Sequence, residues 1–206
     1  MSSFAPVTTE AELEALYGRP GEASLLKVAD RITPQYRRFL DASPFFTLAT
    51  AGPEGLDCSP RGELGGLFRV LDDKTLAIPD RRGNNRMDSL RNIVRDPRVA
   101  LLFLIPGSVT TIRMNGTAIV TVDPDLLASF EKDGKLPRSA VVITVGEIYT
   151  QCGRAVLRAD LWNPAQHVDP KSIPTAGDIL KERSEGAFDS ETYDRDWAGR
   201  AARTMW

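Results

Sequence analysis

Two arginine-bearing stretches stand near one another in the chain, Ser59-Pro60-Arg61-Gly62 and Arg81-Arg82-Gly83-Asn84-Asn85-Arg86. The first follows Gly55-Leu56-Asp57-Cys58, and the second opens directly into a helix-like run from Met87. Guanidinium forks grip phosphate bidentately, hydroxyl and amide side chains add donors, and free N–H groups at a helix start favour an anion. Gly62 lets backbone approach an anion beside Arg61, and Asn84 and Asn85 are placed to cap the helix next to Arg86. Two turns carrying these residues could form a phosphate site. The same composition also suits an ordinary loop surface, and Arg81 and Arg82 read as solvated.

Other chemistry-bearing residues are fewer. In Thr111-Ile112-Arg113-Met114-Asn115-Gly116, strand alternation puts Thr111, Arg113 and Asn115 on one face, where they meet either solvent or a ligand. Cys152, ahead of Gly153 and Arg154, is either a thiol nucleophile or a half-buried packing residue; Cys58 reads as packing. Trp162 either joins the core or covers an aromatic ligand. The lone histidine, His167, lies in a proline-rich tail and takes no role, so a zinc site or a histidine-based triad lacks most of its parts.

The elements that must position these residues follow from periodicity and caps. Short helices are predicted over residues 8–17 and 25–29, and a third after Thr33-Pro34 with Tyr36, Phe39 and Leu40 as its apolar stripe. Strands are predicted for 45–50, 56–59, 67–71, 75–78 (stopped by Pro79), 98–105, 110–122 and 140–150. Gly116 marks a bulge in the long strand. The helix from Met87 to Val94 shows Met87, Leu90, Ile93 and Val94 as a stripe. Further helices are expected after Asp123-Pro124, over 152–162 and over 176–184, followed by a polar, mobile-looking end. Roughly six strands with short turns and peripheral helices argue for an antiparallel barrel or sandwich. No Gly-x-Gly-x-x-Gly fingerprint follows a strand, so a dinucleotide-type site is not expected.

Composition narrows the class. With 206 residues and 42% hydrophobic content, one domain with appendages and a sizeable core is expected. The 26 basic and 28 acidic residues give a net charge of -2, which provides no footprint for nucleic acid. No membrane-length apolar run or secretory signal is visible, and the 2 cysteines are too few for a disulfide framework. The expectation is a soluble, cytoplasmic protein.

Taken together, Ser43-Pro44-Phe45 with Leu48-Ala49-Thr50, Ser59-Pro60-Arg61-Gly62, Ile78-Pro79-Asp80, Gly83-Asn84-Asn85-Arg86, Phe103-Leu104-Ile105-Pro106 and Arg113-x-Asn115-Gly116 resemble the pyridoxamine 5′-phosphate oxidase-like FMN-binding split-barrel flavoproteins. The nearest likeness is to a branch of FMN-dependent members without an assigned substrate. The resemblance covers about residues 40–165. It implies a mainly β chain with peripheral helices, built on a six-stranded antiparallel split barrel that pairs as a homodimer with FMN in two interface clefts. It also implies an N-terminal helical extension at 1–40 packed on the barrel, a split-barrel domain at 41–165 and a C-terminal extension at 166–206.

By the same likeness, Asp57, Cys58, Ser59, Pro60, Arg61 and Gly62 run along the isoalloxazine, with Arg61 reaching the phosphate side. Ile78 and Pro79 touch the ring or ribityl chain, Asn85 and Arg86 hold the phosphate, and Asn84 counts with them among the cofactor-binding residues. Thr111 matches a flavin-contacting position, Arg113 lies on the same strand face, and Gln151, Cys152 and Trp162 come from the other subunit. The oxidases' C-terminal arginine–histidine motif has no match near His167 or in the tail, which argues against vitamin B6 oxidation. The expected activity is that of an FMN-dependent oxidoreductase acting on a small molecule. A reduced nicotinamide would be its donor, and a quinone, nitro compound or oxygen its acceptor. The alternative is a flavin- or haem-binding sensor without turnover.

Overall fold

Local caps set the first helices of the computed structural model, which describes residues 4–206. Thr9 accepts from the Glu12 N–H at 3.2 Å and the Glu12 carboxylate returns to the Thr8 and Thr9 N–H groups, opening α1 (Glu10–Tyr17). Gly18, at φ 71°, ends it. The next helix, α2 (Glu22–Leu26), lies ahead of the predicted span because Ala29 is bridged to Ile148 by two backbone hydrogen bonds instead. Thr33 caps α3 (Pro34–Asp41), which buries Leu40 and leans Tyr36 and Phe39 on the core.

The strands are β1 (Phe45–Gly52), β2 (Gly55–Gly62), β3 (Arg69–Val70) and β4 (Thr75–Asp80); α4 (Asp88–Arg95) then leads to β5 (Arg98–Leu104) and β6 (Thr111–Thr121). After α5 (Pro124–Ser129) comes β7 (Ser139–Gln151), followed by α6 (Arg154–Arg158), α7 (Ala176–Arg183), α8 (Ser190–Arg195) and α9 (Trp197–Thr204). All pairings are antiparallel in the order β2-β1-β5-β6-β7-β4-β3. The sheet therefore has 7 strands rather than six, the addition being the two-residue β3 at one edge. Although β2 and β4 lie far apart in that order, Ser59–Gly62 and Ile78–Arg81 line one cleft, so the sheet curls on itself. Inside the curl are Phe46, Leu48, Leu101, Phe103, Ile112, Met114, Ile143 and Ile148. Among the described residues no helix is long and apolar enough to cross a membrane.

Several expectations change. Ser59-Pro60-Arg61-Gly62 is not a turn but the end of β2, an edge strand where proline is tolerated. Pro79 does not stop β4; it pairs with Ala140 within the strand. The Thr75 carbonyl accepts from Leu71 on the β3 side, and Pro79, in the same phase, turns its missing N–H to that side, beyond the reach of β3. In α4 the inward face is Ser89, Asn92 and Ile93, whereas Val94 is 77% exposed. Asn92 donates to Thr50 Oγ1 at 3.1 Å, so polar groups of the helix are satisfied by the sheet. The predicted 152–162 helix is only α6, and the polar tail forms α8 and α9, with Asp189 capping α8.

The bulge forms where predicted: the β6–β7 register shifts between Asn115 and Gly116. A Cβ on Gly116 would meet the Thr144 carbonyl, with Thr144 C at 3.1 Å and Gly146 N at 3.3 Å. These are backbone atoms with no rotamer to escape into. Gly116→Ala is expected to cost about 1–3 kcal/mol, the range for overpacking, read as a lower urea midpoint. An unchanged midpoint would mean that the bulge yields freely.

Candidate functional site: an arginine-lined cleft

A cleft of about 600 Å³ opens between the end of β2, the end of β4, the 82–87 loop and the first turn of α4, with Arg138 and Ser139 on its far wall. Strand alternation turns Asp57, Ser59 and Arg61 of β2 toward α4 and leaves Leu56, Cys58 and Pro60 exposed. Ser59 donates to Asp57 Oδ2 at 2.9 Å and Ser89 donates to the same oxygen at 2.5 Å. Arg61 Nη2 donates to Ser89 Oγ at 3.5 Å. Asp57 thus stands behind the cleft wall, fastening the α4 start to β2 and seating Arg61 at the rim.

The loop ahead of α4 has unusual backbone. Asn85 and Met87 take φ of 62° and 59°, and no side chain caps the helix at Met87. Asn84 accepts from the Arg86 N–H at 3.0 Å, so it serves the loop rather than the helix. Arg86 pairs with Asp88 at 2.8 Å and its side chain is 75% exposed. Across the cleft, Arg138 donates to Asn85 Oδ1 at 3.3 Å. Burial pushes the Asp80 carboxyl above its ordinary value, against the pull of Arg61 and Arg138.

Arg81 is not solvated, contrary to expectation. Its Nε donates to Glu63 at 3.0 Å, with the two side chains 18% and 14% exposed, and Nη1 donates to the Phe130 carbonyl at 3.1 Å. Lys132 also pairs with Glu63. The Trp206 ring lies 5.2 Å from the Arg81 guanidinium, which brings the C-terminal residue to the cleft wall. Arg82 is exposed, as read from sequence.

The cleft unites Ser59, Pro60, Arg61, Gly62, Ile78, Pro79, Asn84, Asn85 and Arg86 of the predicted residues. It does not unite the others within one chain. Thr111 pairs with Gln151, and Arg113 with Leu102 and Tyr149, in rows that alternation puts on the face of the sheet opposite the core residues Ile112 and Met114. Arg113 lies 5.2 Å from the Tyr149 ring. Cys58 and Cys152 are exposed rather than packed. Trp162 is half-buried and donates to the Ser108 carbonyl at 2.7 Å, which joins it to the scaffold. Sequence reasoning missed Ser89, Asp80, Arg138 and Glu63; of these only Ser89, in the first helical turn, carried a local signal.

No match is found among curated proteins. Among solved structures, HupZ of Group A Streptococcus aligns with a TM-score of 0.49 and 18% identity over 59% of this chain and 94% of that one. A Lactobacillus delbrueckii protein named after pyridoxamine 5′-phosphate oxidase aligns with a TM-score of 0.48 and 23% identity over 59% and 95%. A Listeria innocua protein named likewise aligns with a TM-score of 0.43 and 16% identity over 56% and 94%. The family model described as pyridoxamine 5′-phosphate oxidase matches residues 32–152, more than half of the chain, and the chain belongs to that family.

Proposed function

We propose that the cleft holds FMN by its phosphate and that the protein is a flavin-binding redox protein. The observation that carries this is Arg61, seated by the Ser89–Asp57 pair at the rim of a cleft that also meets the uncapped start of α4. The residues fit the group: guanidinium, hydroxyl and helix N–H donors suit a phosphate, and Ile78 and Pro79 offer an apolar wall. The volume falls within the roughly 300–1,000 Å³ of small-molecule sites. When bound, FMN supplies hydride chemistry between a donor such as a reduced nicotinamide and a small acceptor. The chain would position it through its phosphate, with Ile78 and Pro79 beside it. A homodimer completes the proposal, since Thr111, Arg113, Gln151 and Cys152, which lie outside the cleft of their own chain, would approach a cofactor only from a second copy.

A second reading is a binder without turnover, for flavin or for haem. Guanidinium groups would also hold haem propionates. Among the lining residues Met87 alone offers a sulfur or imidazole ligand, and the cleft presents arginine, hydroxyl and carboxylate groups rather than a nucleophile–base pair. Titration of the purified protein with FMN, riboflavin and haem separates the readings. FMN quenching well below the riboflavin concentration supports the phosphate site, and equal affinity for the two flavins refutes it. A haem absorbance change with no flavin response favours the haem reading. Oxidation of reduced nicotinamide faster than free FMN achieves identifies an enzyme; none at saturating FMN identifies a binder.

A further inference from the structure

The arginines of the cleft are not equivalent. Arg81 is paired with Glu63 and Arg86 with Asp88, so each already faces a carboxylate, and Arg82, exposed on the loop, is held by no side-chain hydrogen bond among the described residues. Arg61 and Arg138 differ: Arg61 donates to the Pro60 carbonyl and the Ser89 hydroxyl, and Arg138 to the Asn85 amide oxygen. Their acceptors are neutral, and among the described residues neither makes an ion pair. They come from opposite walls, one on β2 and the other just ahead of β7. Asp80 lines the same cleft, and its β4 position pairs directly with Ser139, the neighbour of Arg138.

We propose that Arg138, together with Arg61, forms the anion-binding pair of the cleft, and that Asp80 is the specificity-determining residue that opposes a second negative charge there. This deepens the FMN proposal and rests on it only for the identity of the phosphate bearer. A guanidinium whose charge is unmatched by a carboxylate has the most to gain from a phosphate, because nothing must first be displaced. Arg86 would have to exchange Asp88 for the ligand, whereas Arg138, also exposed, has no carboxylate to give up. The half-buried Asp80 carboxylate gives the cleft a charge that a phosphate must face. A ligand that combines a phosphate with hydroxyl donors would satisfy both partners, with its hydroxyls toward Asp80.

The test uses inorganic phosphate, FMN and riboflavin on the full-length protein. Inorganic phosphate should raise the melting temperature of the wild-type protein but not of Arg138→Ala, a loop substitution whose folding is checked by circular dichroism. FMN affinity should fall about tenfold or more in Arg138→Ala, with riboflavin unchanged and partial recovery in Arg138→Lys. Arg86→Ala should cost less than Arg138→Ala. Asp80→Asn should tighten both phosphate and FMN. The inference is overturned if Arg138→Ala keeps the phosphate response, if it weakens riboflavin as much as FMN, if Arg86→Ala costs more, or if Asp80→Asn weakens phosphate. A wild-type protein that responds to inorganic phosphate through Arg138 but does not prefer FMN to riboflavin would sink the cofactor assignment and leave this anion pair standing.

Discussion

Arg61→Ala is expected to weaken FMN binding by about 1.5–3 kcal/mol, the range for a hydrogen bond to a charged group, while leaving riboflavin binding and the melting temperature near those of the wild type. The expectation rests on how Arg61 is held. Asp57 takes hydrogen bonds from Ser59 and Ser89, and Ser89 in turn receives Arg61 at 3.5 Å, so the guanidinium is directed to the cleft rim before any ligand arrives. Directing it beforehand removes part of the ordering cost that a free arginine would impose on binding. Arg61→Lys should restore only part of the loss, since an ammonium cannot reproduce the fork. Arg86→Ala, in contrast, removes an exposed side chain already paired with Asp88 and should have a smaller effect. Fluorescence titration of the three variants checks the order. A loss in Arg61→Ala shared by riboflavin would show that the residue supports the wall rather than the phosphate.

Phe103→Ala should cost about 3–5 kcal/mol of stability, the range for deleting a large buried aromatic side chain. Phe103 is fully buried on β5, its ring 5.0 Å from that of Phe46 and 5.7 Å from that of Phe68. It also sits in register with Phe46 on β1 and Ile112 on β6, so its loss opens a void where three strands meet. A domain's whole stability is roughly 5–15 kcal/mol, so this single change removes a large share of it. Urea unfolding followed by tryptophan fluorescence measures the effect; a loss below that of Gly116→Ala would mean that the core closes around the gap.

What could be read from the chain was mostly what depends on near neighbours. The apolar run at β5, the Thr33-Pro34 and Asp123-Pro124 helix starts and the bulge glycine all carry their cause within a few residues, and all formed. Periodicity does not give the inward face of α4, because Ser89 and Asn92 are buried against Asp57 and Thr50, partners distant in the chain. Pro60 and Pro79 read as strand breakers by residue type, yet both sit where the open side of a strand needs no N–H. The last two helices bury few apolar groups and show themselves only through caps and hydrogen bonds; Asp194, for example, accepts from Thr175 Oγ1 at 2.5 Å and from the Gly177 N–H at 3.0 Å.

The site divides in the same way. Arg61, Asn84, Asn85 and Arg86 announced an anion by their types, and the curl of the sheet brings them to one cleft. Asp80 and Arg138 meet only because β4 pairs with β7, a contact between distant parts of the chain with no local signature. Asp57 was expected along a ligand ring and is found behind the wall instead, because strand alternation turns it toward α4. Thr111 and Arg113 carry a local signal only as polar residues on one strand face, Gln151 enters through family resemblance alone, and all three lie on the face of the sheet opposite the core residues Ile112 and Met114.

The most direct measurement is a crystal structure of the full-length protein grown with FMN. The phosphate should lie between β2, β4 and the first turn of α4, hydrogen-bonded to the Arg61 guanidinium. Density for the phosphate elsewhere, with Arg61 turned away into solvent, would contradict the assignment.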